Sequence, residues 1–228
     1  FTTDPIRVRN VDQLQTSYDK VDSVLNEHVL ALGERIGDEC AFQWSPTGTA
    51  TKIVRTTGGA IAENLPTGAT GTRNTLTKND IKTLAKNMDS ENVPMAGRKL
   101  LLPVEMYYEL FDDADLLSVE KLEQRTLPNG VINRLFGFDI MVRSSVNLYD
   151  NITTLKAIGS ASAGTDCFAG LAWSETSVSK AQGQINVWLN EGIAEHYGEV
   201  MSAEVQFGAS KLRSDEKGVF AIAQGYNA

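Results

Sequence analysis

Two histidines, His28 and His196, are the residues in this 228-residue chain best suited to acid–base or metal chemistry. Neither belongs to an HExxH pattern, and no other residues accompany them at metal-ligand spacing. His28 lies at the edge of an apolar stripe next to Glu27, and His196 lies in a polar segment between Glu195 and Tyr197. We therefore predict a packing role for His28 and a surface role for His196.

The two cysteines and one acidic run also carry little sign of chemistry. Cys40 and Cys167 form no CxxC pair and have no local nucleophile signature, so we predict two reduced structural thiols. Asp112, Asp113 and Asp115 come from one short run and offer few converging ligands for a divalent cation. The acidic run indicates a solvated helix end.

Other functional signatures are missing or incomplete. No GxSxG elbow occurs, and the GATGTR stretch at residues 68–73 lacks the Gly-Lys-Ser/Thr ending of a phosphate loop. Trp44, Trp173 and Trp188 lack the interleaved basic residues of a nucleic-acid stacking platform. Carboxylate pairs distant in sequence stay open as an alternative. The sequence thus predicts no catalytic, cofactor-binding or metal-ligating residue, no cofactor, and a protein that is not an enzyme.

The overall charge argues against a protein that grips phosphates. The net charge is −8 and the sequence pI is about 4.9, whereas binding to nucleic acid calls for a basic face. No apolar run reaches the length of a membrane span, and the first ten residues lack the basic and apolar regions of a signal peptide. We expect no membrane partner.

The elements that would position any site are organised around the stretch from Asn10 to Cys40. Its apolar residues recur every 3.6 positions on average, the period of an amphipathic helix, at Val11, Leu14, Tyr18, Val21, Leu25, Val29, Leu32 and Ile36. A helix of about 29 residues would run for about 43 Å, close to the diameter of a compact globule of this size. This length favours a spine, and a long core helix in a compact α+β domain is the alternative.

The rest of the chain predicts short helices and many strands. Residues 1–9 indicate an extended strand whose partner lies upstream or on another molecule. The glycine- and threonine-rich residues 46–75 indicate a long, poorly packed loop, with a short hairpin inside it as an alternative. A second helix begins at Thr77, and a third runs from Val104 to about Phe111. Strand patterns occur at residues 100–102, 136–142, 157–158, 167–173, 185–189, 200–207 and 219–223. We expect the long helix to lay its apolar stripe on an antiparallel sheet formed by the last strands.

This order of elements resembles the major capsid proteins of tailed bacteriophages with the HK97-type fold, particularly coats from phages of Bacteroidetes hosts. Four stretches carry the resemblance: SYDKVDSVLNEHVLALGERIGDE, GRKLLLPVEMYYELFDDADLL, NGVINRLFGFDIMVRSSV and EVMSAEVQFGASKLRSDEKGVFAIAQ. The resemblance implies an α+β fold with a long spine helix, a peripheral antiparallel sheet and an axial lobe. Its implied parts are a remnant of an extended loop or arm (1–9), the spine helix of the peripheral domain (10–45), a flexible loop (46–76), the axial domain (77–180) and the peripheral-domain strands (181–228).

The resemblance also implies a function. The chain would be a structural subunit of an icosahedral-type phage capsid, self-assembling into pentamers and hexamers that enclose double-stranded DNA without sequence-specific binding. It would belong to the virion, assemble in the bacterial host cytoplasm, and meet scaffolding, portal and decoration proteins. An encapsulin-like nanocompartment shell, and a small soluble enzyme or binding module, remain as alternatives.

Overall fold

The computed structural model describes residues 1–9, 20–112, 132, 134–193, 195 and 197–227. Several predicted features lie outside the described residues. They are the first turns of the long helix, the acids Asp113 and Asp115, and His196.

The described residues form three α-helices, two single turns of 3₁₀ helix and thirteen β-strands. The helices are α1 (Lys20–Trp44), α2 (Lys78–Ser90) and α3 (Val104–Glu109), and the 3₁₀ turns are Ala50–Lys52 and Leu110–Asp112. The strands are β1 (Ile6–Arg9), β2 (Ile53–Arg55), β3 (Ala60–Ile61), β4 (Thr72–Asn74), β5 (Arg98–Pro103), β6 (Arg134–Leu135), β7 (Phe138–Arg143), β8 (Asn147–Tyr149), β9 (Cys167–Ser174), β10 (Val178–Ile193), β11 (Gly198–Lys211), β12 (Val219–Ala223) and β13 (Gly225–Asn227).

The chain divides into two compact units. The first unit consists of Phe1–Cys40 and Lys180–Ala209, and the second of Ala41–Ser179 and Ser210–Ala228. Each unit combines helix with sheet, so the fold class is α+β, as predicted.

The first unit is a helix packed on a three-stranded sheet. The strand order is β1-β11-β10, and Leu32 and Ile36 of α1 form a buried cluster with Ala203 and Val205 of β11. Residues four apart on a helix share a face, and residues two apart on a strand share a face, so these two pairs meet. The predicted packing of the apolar stripe on the late strands is confirmed for these residues.

Strand β1 has its partner within the same chain, so the expectation of an upstream or intermolecular partner is wrong. It pairs antiparallel with β11, from Ile6 opposite Met201 to Arg9 opposite Gly198. The contact continues to the N-terminus, where the Phe1 amine donates to the Val205 carbonyl oxygen at 2.8 Å. Local patterning shows that a segment is extended, but not which strand, almost a full chain length away, completes its ladder.

The second unit is built on a seven-stranded mixed sheet. The strand order is β2-β12-β9-β5-β7-β6, and β8 pairs with β9. Helices α2 and α3 pack on this sheet through a shared core that contains Ile81, Leu84, Met106, Phe138 and Phe220. Thr77 and Asp80 form the predicted capping box at the start of α2.

The last strands do not all belong with β10 and β11, which corrects the assignment of residues 181–228 to one peripheral sheet. Strands β12 and β13 lie in the second unit, where β12 pairs with β2 on one side and β9 on the other. All five residues of Val219–Ala223 are buried. A continuous apolar run without alternation is typical of a strand covered on both faces, and that feature distinguishes β12 from β11.

The segment predicted as a flexible loop, residues 46–76, also has more structure than expected. It contains β2, β3 and β4, and Arg73 on β4 is fully buried. The Arg73 guanidinium donates hydrogen bonds to the backbone carbonyl oxygens of Thr70, Thr72, Gly164 and Asp166. Because the Arg73 hydrogen bonds, and not an apolar pattern, hold β4, hydropathy gave no sign of the order of that strand.

Two smaller predictions also change. Residues 157–158 form no strand, and the strand expected over residues 136–142 begins at Phe138. Phe136 and Gly137 form the turn between β6 and β7, with φ of 47° and 85°. Both values lie in the left-handed region that a two-residue hairpin turn requires.

Candidate functional site

Strand β10 is the most exposed element of the first unit. All twelve residues from 180 to 191 are exposed to solvent. They include four large apolar side chains, each between 37% and 58% exposed: Ile185, Val187, Trp188 and Leu189. A contiguous exposed apolar segment of this kind marks an interaction surface.

The sheet topology leaves one side of β10 open. In the described part of the first unit β10 pairs only with β11, because it is the last strand in the order β1-β11-β10. The Asn186 side-chain amide donates to the Glu204 carboxylate at 3.1 Å, which ties β10 to β11 on the paired side. The opposite edge presents backbone N–H and C=O groups to solvent, and such an edge is a template for another strand.

The tip of the β10–β11 hairpin carries an exposed aromatic residue. Tyr197 is 79% exposed and has a φ of 50°. A bulky residue in the left-handed region carries backbone strain, and this one places an amphipathic ring in solvent. We call Tyr197 and the four apolar residues of β10 together the hairpin surface; it spans both faces of the strand, because Ile185, Val187 and Leu189 share one face and Trp188 lies on the other.

A second exposed apolar region lies in the second unit. Met95 and Phe136 are 60% and 40% exposed, and they line a groove of about 740 Å³ beside α2. Lys82 and Lys86 of α2 line the same groove. The groove therefore combines apolar contacts with positive charge.

The structure buries His28 more deeply than its position at the stripe edge predicted. Its side chain is only 6% exposed, and it shares the buried face of α1 with Leu32 and Ile36. The Nε2 atom of His28 has no hydrogen-bond partner in the part of the chain that the structure describes. A cavity of about 340 Å³ is lined by His28 together with Thr3, Asp4, Ile6, Glu27 and Ala31.

Neither a metal site nor a reactive thiol is found in the described residues. No group of three or more His, Cys, Asp or Glu side chains there is arranged to hold a metal ion. Cys40 and Cys167 are not joined in a disulfide bond in the described residues. Burial raises the pKa of the Cys167 thiol, although Arg73 and Arg55 act in the opposite direction, so this thiol is less acidic than an ordinary cysteine. Among the described helices, none has the length and apolar character to cross a membrane.

The other residues singled out from the sequence have structural surroundings. Trp44 and Trp173 pack together with ring centroids 5.6 Å apart, and the Trp44 indole N–H donates to the Ser179 carbonyl oxygen. Asp112 is exposed at the end of a 3₁₀ turn. Trp188 alone among the three tryptophans belongs to the hairpin surface.

Sequence reasoning missed the hairpin surface, although a signal for it was present. The alternation of polar and apolar residues at 185–189 predicted a strand, and such a strand normally has one face covered. The cavity beside His28 had no comparable signal, because its lining joins residues 3–6 to the middle of α1.

Comparison with known proteins identifies relatives of this arrangement. The family model for phage capsid protein matches residues 6–224. Three solved structures are similar in fold. The capsid structure of the cyanophage P-SCSP1u has a TM-score of 0.67 and 17% identity, over 100% of this chain and 72% of that chain, and a structure from Mycobacterium phage Che8 has a TM-score of 0.64 and 15% identity, over 97% and 69%. The acid-stable capsid structure of Helicobacter pylori bacteriophage KHP30 has a TM-score of 0.65 and 9% identity, over 98% of this chain and 74% of that chain. No curated protein sequence matches the chain.

Proposed function

The chain belongs to the phage capsid protein family and is a structural subunit of a phage capsid with the HK97-type fold, and we propose that its copies assemble through the hairpin surface. The observation that carries this proposal is the run of twelve exposed residues on β10. Four of them are large and apolar, and the strand has an open edge. A monomer that kept this strand in solvent would be prone to aggregation.

A second copy is the occupant that best suits this surface. A shell needs the same contact to be repeated between all its subunits, so each subunit must carry the surface and its complement. Contacts between different patches of identical subunits close into rings when the rotation between copies allows it. Rings of five and six subunits, the capsomers of an icosahedral-type shell, follow as the proposed assemblies.

The charge of the chain supports enclosure of DNA without sequence reading. A net charge of −8 disfavours close binding to phosphates. A shell built from such subunits would repel packaged double-stranded DNA, which eases its movement during packaging and release. Under this proposal the subunit contains DNA and does not recognise it.

The remaining assignments follow from family membership and the physical features above. We propose that the first unit is the peripheral domain, with residues 1–9 as the end of an extended arm, and that the second unit is the axial domain. The protein would have no enzymatic activity. Assembly would take place in the bacterial host cytoplasm without a membrane, and scaffolding, portal and decoration proteins would be further partners. The family match does not favour a nanocompartment shell or a small enzyme.

A pair of matched substitutions tests the role of the hairpin surface. Val187→Asp places a charge on β10, and Ile152→Asp places the same charge on an exposed residue outside it, where the side chain is 69% exposed. We expect Ile152→Asp to assemble as the wild type does. We expect Val187→Asp to remain as folded subunits, because a buried unpaired carboxylate would oppose the contact.

The measurement is multi-angle light scattering followed by negative-stain microscopy, with circular dichroism to verify that both variants fold. Particles of normal size from Val187→Asp would show that β10 is not the assembly surface. Wild-type chains that stay monomeric under every assembly condition would contradict the capsid proposal itself.

A further inference from the structure

The cavity beside α1 in the first unit has the chemistry of a binding site. The N-terminal segment supplies Thr3, Asp4 and Ile6, and α1 supplies Glu27, His28 and Ala31. Its volume of about 340 Å³ lies at the small end of the range for ligand pockets. We propose that this cavity receives the lysine ammonium group of a second copy of the chain, an inference that rests on the proposed capsid function.

A buried ring nitrogen is the first argument for an incoming donor. His28 is 94% buried by its 6% exposure, and its Nε2 has no partner among the described residues. A buried polar atom without a partner costs free energy, so native structures seldom keep one without a reason. A donor that enters the cavity lined by His28 would remove that cost.

The two carboxylates of the cavity supply charge and two further acceptors. Asp4 and Glu27 are exposed and make neither a hydrogen bond nor an ion pair in the part of the chain that the structure describes. A lysine ammonium group carries three N–H donors and no acceptor. Asp4, Glu27 and the unpartnered Nε2 of His28, in the tautomer that carries its proton on Nδ1, therefore offer one acceptor group for each donor.

The apolar lining suits the stem of a lysine side chain. Ile6 is 43% exposed at the cavity, and Ala31 forms another part of the lining. Lysine buries its four methylene groups against apolar surface while its charged end reaches polar partners. The apolar lining would contact the methylene groups of the lysine, and the acceptors would contact its ammonium group.

The pairing of basic residues within the chain favours lysine over arginine. Every arginine whose side chain the structure describes is engaged in its own chain: Arg55 and Arg73 hold backbone carbonyls, and Arg213 pairs with Asp215. Three exposed lysines make no ion pair within the described residues, namely Lys82, Lys86 and Lys180. In a shell of identical subunits, these free cations are presented to every neighbouring copy.

Zero-length cross-linking tests the contact directly. A carbodiimide joins a carboxylate to a lysine amine only when the two groups touch. Particles assembled from equal amounts of ¹⁴N and ¹⁵N subunits should yield mixed-isotope peptides in which Asp4 or Glu27 is linked to a lysine. Subunits kept apart at low concentration should yield none.

The same experiment separates failure of this inference from failure of the proposed function. Particles that form but give no mixed-isotope link at Asp4 or Glu27, while other carboxylates cross-link between copies, would overturn the lysine contact alone. Wild-type chains that never assemble would overturn both. Links in which both peptides always carry one isotope would place the lysine in the same chain and also overturn the inference.

Substitutions at His28 give an independent readout. His28→Leu fills a similar volume without an acceptor, and His28→Gln retains an amide oxygen that can accept a hydrogen bond. We expect His28→Leu to raise the subunit concentration needed for half-maximal assembly by about tenfold, the size of one lost hydrogen bond, and His28→Gln to restore much of the loss. A purely structural His28 would instead change the unfolding midpoint and leave the assembly concentration unchanged.

A charge-matched pair of double variants completes the test. The first double variant combines Asp4→Asn with Glu27→Gln, and the second combines Glu63→Gln with Asp112→Asn. Each removes two negative charges from exposed positions. Only the first pair should weaken assembly and abolish the cross-link to the cavity. Equal effects from both pairs would attribute the change to net charge and contradict the inference.

Discussion

Strands β12 and β10 both contain several apolar residues, but β12 is buried and residues 180–191 of β10 are exposed. All five residues of β12 are buried, with β2 and β9 paired on its two sides. By contrast, residues 180–191 of β10 are all exposed, and the strand ends its sheet. The apolar surface of β12 is buried when one chain folds. That of β10 stays exposed in the folded chain, and we propose that it contacts other copies.

This difference shows that the composition of a strand indicates that its apolar side chains need to be buried. It does not indicate whether the same chain or another copy covers them. A subunit that must assemble has to keep some apolar surface after folding, because that surface provides the free energy of association. The two strands therefore predict two kinds of variant. Changes in β12 and its unit should lower the stability of the isolated subunit, and changes in β10 should act on assembly.

The largest effect is expected from Phe220→Ala in β12. The Phe220 ring is 1% exposed in the main core, and the Lys52 ammonium lies 4.7 Å from its centroid. Its removal leaves a cavity and ends this cation–π contact, so we expect a loss of about 3–5 kcal/mol in the free energy of unfolding. This loss is measured by urea unfolding of subunits that are kept unassembled at low concentration. A loss below about 1 kcal/mol would contradict the view that folding alone completes β12.

Arg73→Lys should have the next largest effect, because the second unit also depends on buried hydrogen bonds. Lysine has three donors at one point and cannot reach the four carbonyl oxygens that the Arg73 fork holds. We expect a loss of about 2–3 kcal/mol in the free energy of unfolding. Arg213→Lys is the matched control, since its exposed pair with Asp215 should contribute nothing measurable. Equal losses in the two variants would argue against a buried hydrogen-bond role for Arg73.

Glu109→Gln should give a smaller change that depends on pH. Burial raises the pKa of Glu109 above its ordinary value of 4.5, although the Leu76 N–H and the Asn64 amide donate to its carboxylate at 2.6 and 3.2 Å. A raised folded-state pKa means that the protonated form favours folding, a contribution present below pH 4.5 and lost as the pH rises through the folded-state pKa.

Glutamine is neutral at every pH, so the stability of Glu109→Gln relative to the wild type should increase as the pH rises above about 4.5 and then level off. Unfolding in urea from about pH 4 to about pH 8 measures this difference. A difference that stays constant over this range would show that Glu109 ionises without cost in the folded subunit.

Trp188→Ala should have the smallest effect on the isolated subunit. The Trp188 side chain is 58% exposed, so its truncation should change the free energy of unfolding by less than about 0.5 kcal/mol. Aromatic residues often dominate the energy of interfaces, and we therefore expect a tenfold or greater rise in the concentration required for assembly, about 1.4 kcal/mol or more. Light scattering across a dilution series checks this. If Trp188→Ala destabilised the isolated subunit and left assembly unchanged, the proposed difference between β10 and β12 would be contradicted.

Local signals in the sequence predicted many of the elements, and long-range pairing accounts for the errors. The Thr77–Asp80 capping box and the apolar run of β12 are encoded within a few residues, and both are found in the structure. The partner of β1, and the placement of β12 apart from β11, depend on segments far away in sequence. The hydrogen bonds of Arg73 replace apolar burial, so no hydropathy pattern marks them.

The candidate sites were less predictable than the elements. Alternation at residues 185–189 indicated a strand, yet exposure depends on what the rest of the chain leaves uncovered. The period of α1 placed His28 near the apolar stripe, but the cavity beside it is formed together with Thr3, Asp4 and Ile6, which precede the helix in sequence. Both features are products of tertiary packing.

Hydrogen exchange measured by mass spectrometry on free subunits and on assembled particles tests the central claim most directly. We predict that those backbone amides of residues 180–191 that point away from β11 exchange quickly in free subunits and become protected in particles, because other copies cover the open edge of β10. Amides of Val219–Ala223 should be protected equally in both states. Exchange in residues 180–191 that is as fast in particles as in free subunits would contradict the account.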